Sequence, residues 1–208
     1  MPTYFVRSSG GSDDPETNDG LSFEFGWATI QYAADTAVAG DLVLICADGA
    51  HTTTSTIDFD TNAGGLSNSI IFRGANATGG DDGTVATISG SALGANDILI
   101  NITMSYLVFE NLRITNATDH NLRQDVTGFT TFIRCRIDSA TDHGIYQLGS
   151  IGMVSLFDCE IDNNAIGIGS ASGFRGHVNM SRCSVHDNTG HGLDLYSYSN
   201  LHSILDTV

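Results

Sequence analysis

The chain has 208 residues, 41% of them hydrophobic, with 24 glycines, 2 prolines and a formal charge of -16. That length supports one domain with a real core, and the acidity excludes a nucleic-acid backbone or an anionic membrane surface as a partner. The eight basic residues are all arginine, and no run of about 18 apolar residues offers a membrane span.

Residues 1–50 read as an N-terminal module. T-Y-F-V-R (3–7) predicts a short strand. The opening M-P-T-Y-F-V-R lacks a charged stretch followed by an apolar one, so no secretory signal is expected. S-S-G-G-S-D-D-P-E-T-N-D-G (8–20) is acidic but lacks the order of a calcium loop, and predicts a solvated turn. Ile30, Ala33, Ala34 and Ala37 recur at helical spacing, so 27–37 predicts an amphipathic helix, closed by A-G-D at 39–41. L-V-L-I-C (42–46) predicts a buried strand.

Residues 51–208 read as coils. I-I-F-R-G (70–74), A-T-I-S-G (86–90) and I-L-I-N-I (98–102) predict irregular early ones. A regular repeat follows. Cys135, Cys159 and Cys183 are 24 residues apart, in the contexts C-R-I-D, C-E-I-D and C-S-V-H, with L-R-I-T (112–115) one step earlier. Phe109, Phe132, Leu156 and Met180 precede these segments; Ile114, Ile137, Ile161 and Val185 lie within them. Gly144, Gly167 and Gly192 are followed by Ile145, Ile168 and Leu193, with Leu122 in the matching place. A fixed period of this length marks a solenoid, and the Gly, Asn, Asp and Ser turns make each unit a coil of strands. The cysteines then stack as small buried hydrophobes; with Cys46 they are too few for a disulfide scaffold.

This order resembles the start of right-handed parallel β-helix proteins of the pectate-lyase-like superfamily. The resemblance rests on Y-F-V (4–6), G-S-D (11–13), N-D-G-L-S (18–22), W-A-T-I-Q-Y-A-A (27–34), A-G-D-L-V (39–43) and the repeat. It implies an all-β fold: a right-handed parallel β-helix of 23–24 residues per coil, with a short helix capping its N-terminal end. The leaderless opening resembles bacteriophage-encoded members. That implies a virion structural protein, a capsid-surface decoration, fibre or tail-spike component using the rod for assembly and for glycan or host contact. Such a protein is expected as a homo-oligomer, a trimer by preference, or with other virion proteins, a partner covering the coil-like C-terminal end. Two alternatives stand beside it: a polysaccharide lyase or glycoside hydrolase, secreted if a leader is missing, and a bacterial surface adhesin.

The candidate site is a repeated motif, N-A-T-D-H (116–120) and S-A-T-D-H (139–143). Stacking places Asp119 about 5 Å from Asp142, and His120 about 5 Å from His143. Paired carboxylates either raise a pKa, hold a cation such as Ca2+, or act as acid and base on a glycosidic bond. Catalytic candidates are Asp119, Asp142, His143 and His191, the last within a G-H-G resembling that of polygalacturonase-type hydrolases. His120, His143 and Asp142 are candidates for ligand binding. Asp119, Asp142, Asp138 and Asp162 are candidates for a metal. The plain alternative is a ladder of turn residues. It is favoured by A-I-G (165–167) in the next coil and by the missing lysine. Without a complete catalytic set, a non-enzymatic role is the expectation.

Overall fold

The computed structural model describes residues 2–125, 128–148, 152–172, 177–195 and, as backbone, 203–205. In chain order the elements are β1 (Thr3–Val6), α1 (Ile30–Thr36), β2 (Leu42–Cys46), β3 (His51–Thr52), β4 (Ile57–Phe59), β5 (Ile70–Ala75), β6 (Ala86–Ser89) and β7 (Ile100–Ile102). There follow β8 (Leu107–Glu110), β9 (Leu112–Thr115), β10 (Leu122–Gln124), β11 (Phe129–Ile133), β12 (Arg136–Asp138) and β13 (His143–Gln147). The last are β14 (Met153–Phe157), β15 (Glu160–Asp162), β16 (Ile166–Ser170), β17 (His177–Ser181), β18 (Ser184–His186), β19 (Leu193–Asp194) and β20 (Ser203–Leu205).

These strands form three parallel sheets. Sheet A runs β1-β2-β5-β8-β11-β14-β17-β20, sheet B runs β3-β6-β9-β12-β15-β18, and sheet C runs β4-β7-β10-β13-β16-β19. Each coil visits A, then B, then C, so the fold is the expected parallel β-helix. Among the described residues no helix is long and apolar enough to cross a membrane.

The interior is built of columns, because equivalent residues of successive coils face one another in register. Phe72, Phe109 and Phe132 stack with ring centroids 5.7 and 5.1 Å apart, and Leu156 and Met180 continue the column. Ile88, Ile114, Ile137, Ile161 and Val185 line sheet B. Ile100, Leu122, Ile145, Ile168 and Leu193 form the column in sheet C. Cys135, Cys159 and Cys183 are buried and free, as expected of packing residues. Hydrogen bonding to Cys135 and burial push the Cys159 thiol up to about 12, and burial pushes Cys46 up to about 11. These thiols stay protonated and are poor nucleophiles or ligands.

Helix α1 starts later than expected. Thr29 is its N-cap, accepting from the Tyr32 N–H at 3.1 Å. Asp13 holds residue 28 and residue 29 outside the helix by accepting from both backbone N–H groups, at 2.8 and 3.1 Å. The acidic loop is thus partly a clamp rather than a solvated turn. Ile30, Ala33 and Ala34 bury the helix against the stack, and Trp27 stacks on Tyr4 at 4.5 Å.

The corners have their own logic. The turn from A to B passes through one left-handed residue per coil: Asn111, Arg134, Asp158 and Arg182, with φ of 53, 52, 55 and 53°. Asn116, Ser139, Asn163 and Asp187 do the same at the exit from B, with φ of 64, 62, 55 and 52°. For residues other than glycine this conformation costs roughly 1–2 kcal/mol. Side-chain bonds between coils help to offset it. Arg134 Nε donates to Asn111 Oδ1 at 2.8 Å, and Arg182 donates twice to Asp158, at 2.6 and 2.7 Å.

A buried asparagine ladder closes the turn into sheet C. Asn164 Oδ1 accepts from the Ala140 N–H at 2.9 Å, and its Nδ2 donates to the carbonyls of Ile137 and Asp162 at 3.2 and 3.0 Å. Asn188 Nδ2 repeats this with Ile161 and His186 at 3.2 and 3.0 Å. Asn121 reaches in from the other side of its turn, donating to the Asp138 carbonyl at 2.7 Å.

Candidate functional site

Asn121 and Leu122 both point inward, as do Gly144 and Ile145. Two inward residues in succession break the strand alternation. The break turns His120 and His143 onto the outer face of sheet C, in register with each other, as the bond from Asn121 N–H to the His143 carbonyl (3.0 Å) requires.

There the two imidazoles meet Tyr146. The ring centroids of His120 and His143 are 4.8 Å apart, and those of Tyr146 lie 4.6 and 4.7 Å from them. Asp142 lies between the histidines. Its Oδ1 is 3.0 Å from His143 Nδ1 and its Oδ2 is 3.7 Å from His120 Nδ1. Asp119 Oδ1 is 3.4 Å from His120 Nδ1. Burial pushes the His120 pKa down, against the pull of Asp119, so its imidazole is neutral near pH 7.

A row of outward residues crosses the same face. The register aligns Asp58, Asn101, Arg123, Tyr146 and Gly169. Arg123 Nε donates to Asn101 Oδ1 at 3.1 Å, and Asn101 Nδ2 donates to Asp58 Oδ1 at 2.8 Å. Arg7, Arg73, Arg113, Arg134, Arg136 and Arg182 all hold a carboxylate. Among the described residues Arg123 is the arginine with none.

The expected residues therefore divide. Asp119, His120, Asp142 and His143 come together. His191 is exposed in the turn before β19, its carbonyl accepting from the Gly167 N–H at 2.9 Å. It falls in the histidine register, but Ile166 separates it from His143. Asp138 and Asp162 stack in register, yet an arginine stands where a cation was expected. Arg113 grips Asp138 at 2.9 and 2.6 Å, and Arg136 grips Asp162 at 2.9 and 2.6 Å. Burial opposes ionisation of Asp162, but Arg136 outweighs it and holds the carboxyl below the usual range.

Arg123, Tyr146, Asn101, Asp58 and Asp97 were not singled out in the sequence. Asp97 stacks under Asp119, whose N–H donates to its carbonyl at 3.1 Å. The signal for the first two was present: each follows by one place the repeat's apolar residue, Leu122 or Ile145. A separate cleft, lined by Thr29, Gln31, His51 and Thr52 beside α1, meets this row at Asp58, whose backbone N–H donates to Gln31 Oε1 at 2.7 Å.

No family model matches the chain, and no curated protein sequence does. Among solved structures it is similar to pectate lyase Pel9A, with 21% identity and a TM-score of 0.72, over 93% of this chain and 50% of that one. A rhamnogalacturonan lyase aligns with 15% identity and a TM-score of 0.51, over 90% and 69% of the two chains. The pectin methylesterase from Aspergillus niger aligns with 15% identity and a TM-score of 0.48, over 99% and 85%. At these identities the likeness shows the fold: the chain has the parallel β-helix of pectate lyase. It spans about half the length of that enzyme. None of the three is described as a virion protein, and nothing in the comparisons indicates phage origin.

Proposed function

We propose that this chain is a carbohydrate-active β-helix protein that binds a uronic-acid polysaccharide along the outer face of sheet C and cleaves it by elimination. The observation that carries this reading is Arg123. In a chain of charge -16 it is the described arginine left without a carboxylate, and it neighbours Tyr146 across the ladder. A sugar carboxylate is the complement of such a guanidinium.

Elimination needs three things. A cation must draw charge into the carboxylate, so that the adjacent proton becomes acidic. A base must take that proton. The glycosidic C–O bond then breaks as a C=C bond forms, and the leaving oxygen takes up a proton. Arg123 supplies the first. The neutral His120 imidazole, His143 and Tyr146 are the groups placed for proton transfer. Tyr146 also offers a ring for a sugar to stack on. The described shape of the neighbours, two lyases with this fold, favours this reading over a virion rod.

The test is a panel of uronic-acid and neutral polysaccharides, followed by ultraviolet absorbance for the new double bond and by new reducing ends. Absorbing product from a uronan alone supports the reading. Reducing ends without absorbance make the protein a hydrolase. Binding without cleavage returns the rod-like, virion-type role.

A further inference from the structure

We propose that His120, Asp142 and His143 bind a borderline divalent transition ion of the Zn2+ type, rather than the Ca2+ that stacked carboxylates alone suggest. One ligand atom from each of the three residues lies within 4.8 Å of the others. Zn–N and Zn–O bonds of about 2.0–2.2 Å put tetrahedral ligands roughly 3.4 Å apart. His143 Nδ1 is 3.0 Å from Asp142 Oδ1 and His120 Nδ1 is 3.7 Å from Asp142 Oδ2, one histidine at each carboxylate oxygen, and these distances bracket that spacing.

The donor set selects the ion. Ca2+ takes six to eight oxygens, and two imidazoles are poor company for it. Two imidazoles and a carboxylate suit Zn2+, Co2+ or Ni2+. His143 Nδ1 is buried without a hydrogen-bond partner, despite its nearness to Asp142. Buried nitrogens of this kind are rare, and an ion is one of the few things that satisfies them. His120 Nδ1 has only long contacts to give up, 3.4 Å from the His143 backbone nitrogen and 3.4 Å from Asp119 Oδ1. Three protein ligands leave a fourth position open to water or to a substrate oxygen. Tyr146, which pairs with Arg123 across the ladder, lies against both imidazoles. With the ion bound, both imidazoles are ligands and Tyr146 remains for proton transfer.

The inference stands on ligand geometry and does not require a polysaccharide. Its test uses tag-free protein stripped with a chelator, dialysed and titrated with Co2+, whose visible d–d bands report four-coordinate binding. The expected result is one equivalent bound, the bands displaced by Zn2+ but not by excess Ca2+. In His143→Ala, affinity falls by at least tenfold, and His186→Ala binds as wild type does. Gly169→Ala, which moves the His143 ring without removing it, also weakens binding, and serves if His143→Ala fails to fold. Absence of Co2+ binding by folded wild type overturns the proposal. So does displacement by Ca2+, or wild-type affinity in both the folded His143→Ala and Gly169→Ala variants. Failure to cleave any glycan leaves it standing.

Discussion

The ring of His143 lies directly over Gly169 of the neighbouring strand, and a Cβ at Gly169 would stand 2.3 Å from Cδ2 and 2.4 Å from Nε2 of that ring. The glycine is therefore the seat of the histidine. The clash falls on the far end of a side chain, not on backbone, so the ring can swing away while the coil stays intact.

Gly169→Ala is accordingly expected to change the melting temperature little and to impair the site. Gly144→Ala is expected to lower the melting temperature as well, because its Cβ would meet the Gly167 carbonyl, a backbone atom, at 2.7 Å. Thermal unfolding and Co2+ affinity, measured on both variants, separate the two effects.

Asn164→Ala removes the centre of the asparagine ladder and leaves the Ala140 N–H and two carbonyls without that partner. Each buried group left unmade costs about 1–3 kcal/mol, so a loss of roughly 3 kcal/mol or more is expected in urea unfolding. A loss under about 1 kcal/mol shows that water replaces the ladder.

Asp162 is 1% exposed at the side chain, and Arg136 is 40% exposed. Removing the arginine strands a buried carboxylate. Arg136→Ala is expected to cost about 2 kcal/mol, below the full penalty for a buried pair because the guanidinium is partly solvated. The variant also shifts its acid unfolding. A carboxyl held below its unfolded pKa stabilises above that pKa, and the contribution fades as pH falls. Wild type and Arg136→Ala should therefore converge in stability as the pH falls well below the ordinary carboxylate range. A gap that stays constant below that range contradicts the pairing.

The diagonal pairs of sheet B have a third rung with the charges exchanged. Arg113 reaches Asp138 and Arg136 reaches Asp162, while Glu160 meets His186 at 3.0 Å. Asp187 and Glu160 raise the His186 pKa. A histidine with a raised folded pKa stabilises below its unfolded value, and that stability is lost as pH rises through the folded value. Amide exchange in β18 should therefore be slower near pH 5 than near pH 8, after correction for intrinsic rates. His186→Gln should remove the difference; its persistence in that variant contradicts the account.

The architecture was legible because the solenoid repeats its core residues. Phe109, Phe132, Leu156 and Met180 announce one column, and the cysteines another. The spacing also placed His120 on His143 and Asp119 on Asp142. It did not show which way the histidines point, since Asn121 and Gly144 break the alternation at the corner. Nor did it show that Asp138 and Asp162 are consumed by arginines two residues back on the preceding coil. Diagonal contacts between coils follow from side-chain reach, which a column of aligned letters does not encode. The left-handed corners were hidden for a similar reason: arginine and aspartate occupy places where glycine is the usual signal.

The central claim is that Arg123 anchors a uronate on the outer face of sheet C. The most direct test is the rate at which wild type and Arg123→Ala release unsaturated product from the most reactive uronan, with thermal unfolding measured alongside. The account predicts turnover by wild type and a loss of about 10²-fold or more in the variant, at unchanged stability. Equal rates for the two proteins, or no product from folded wild type on any uronan, would contradict it.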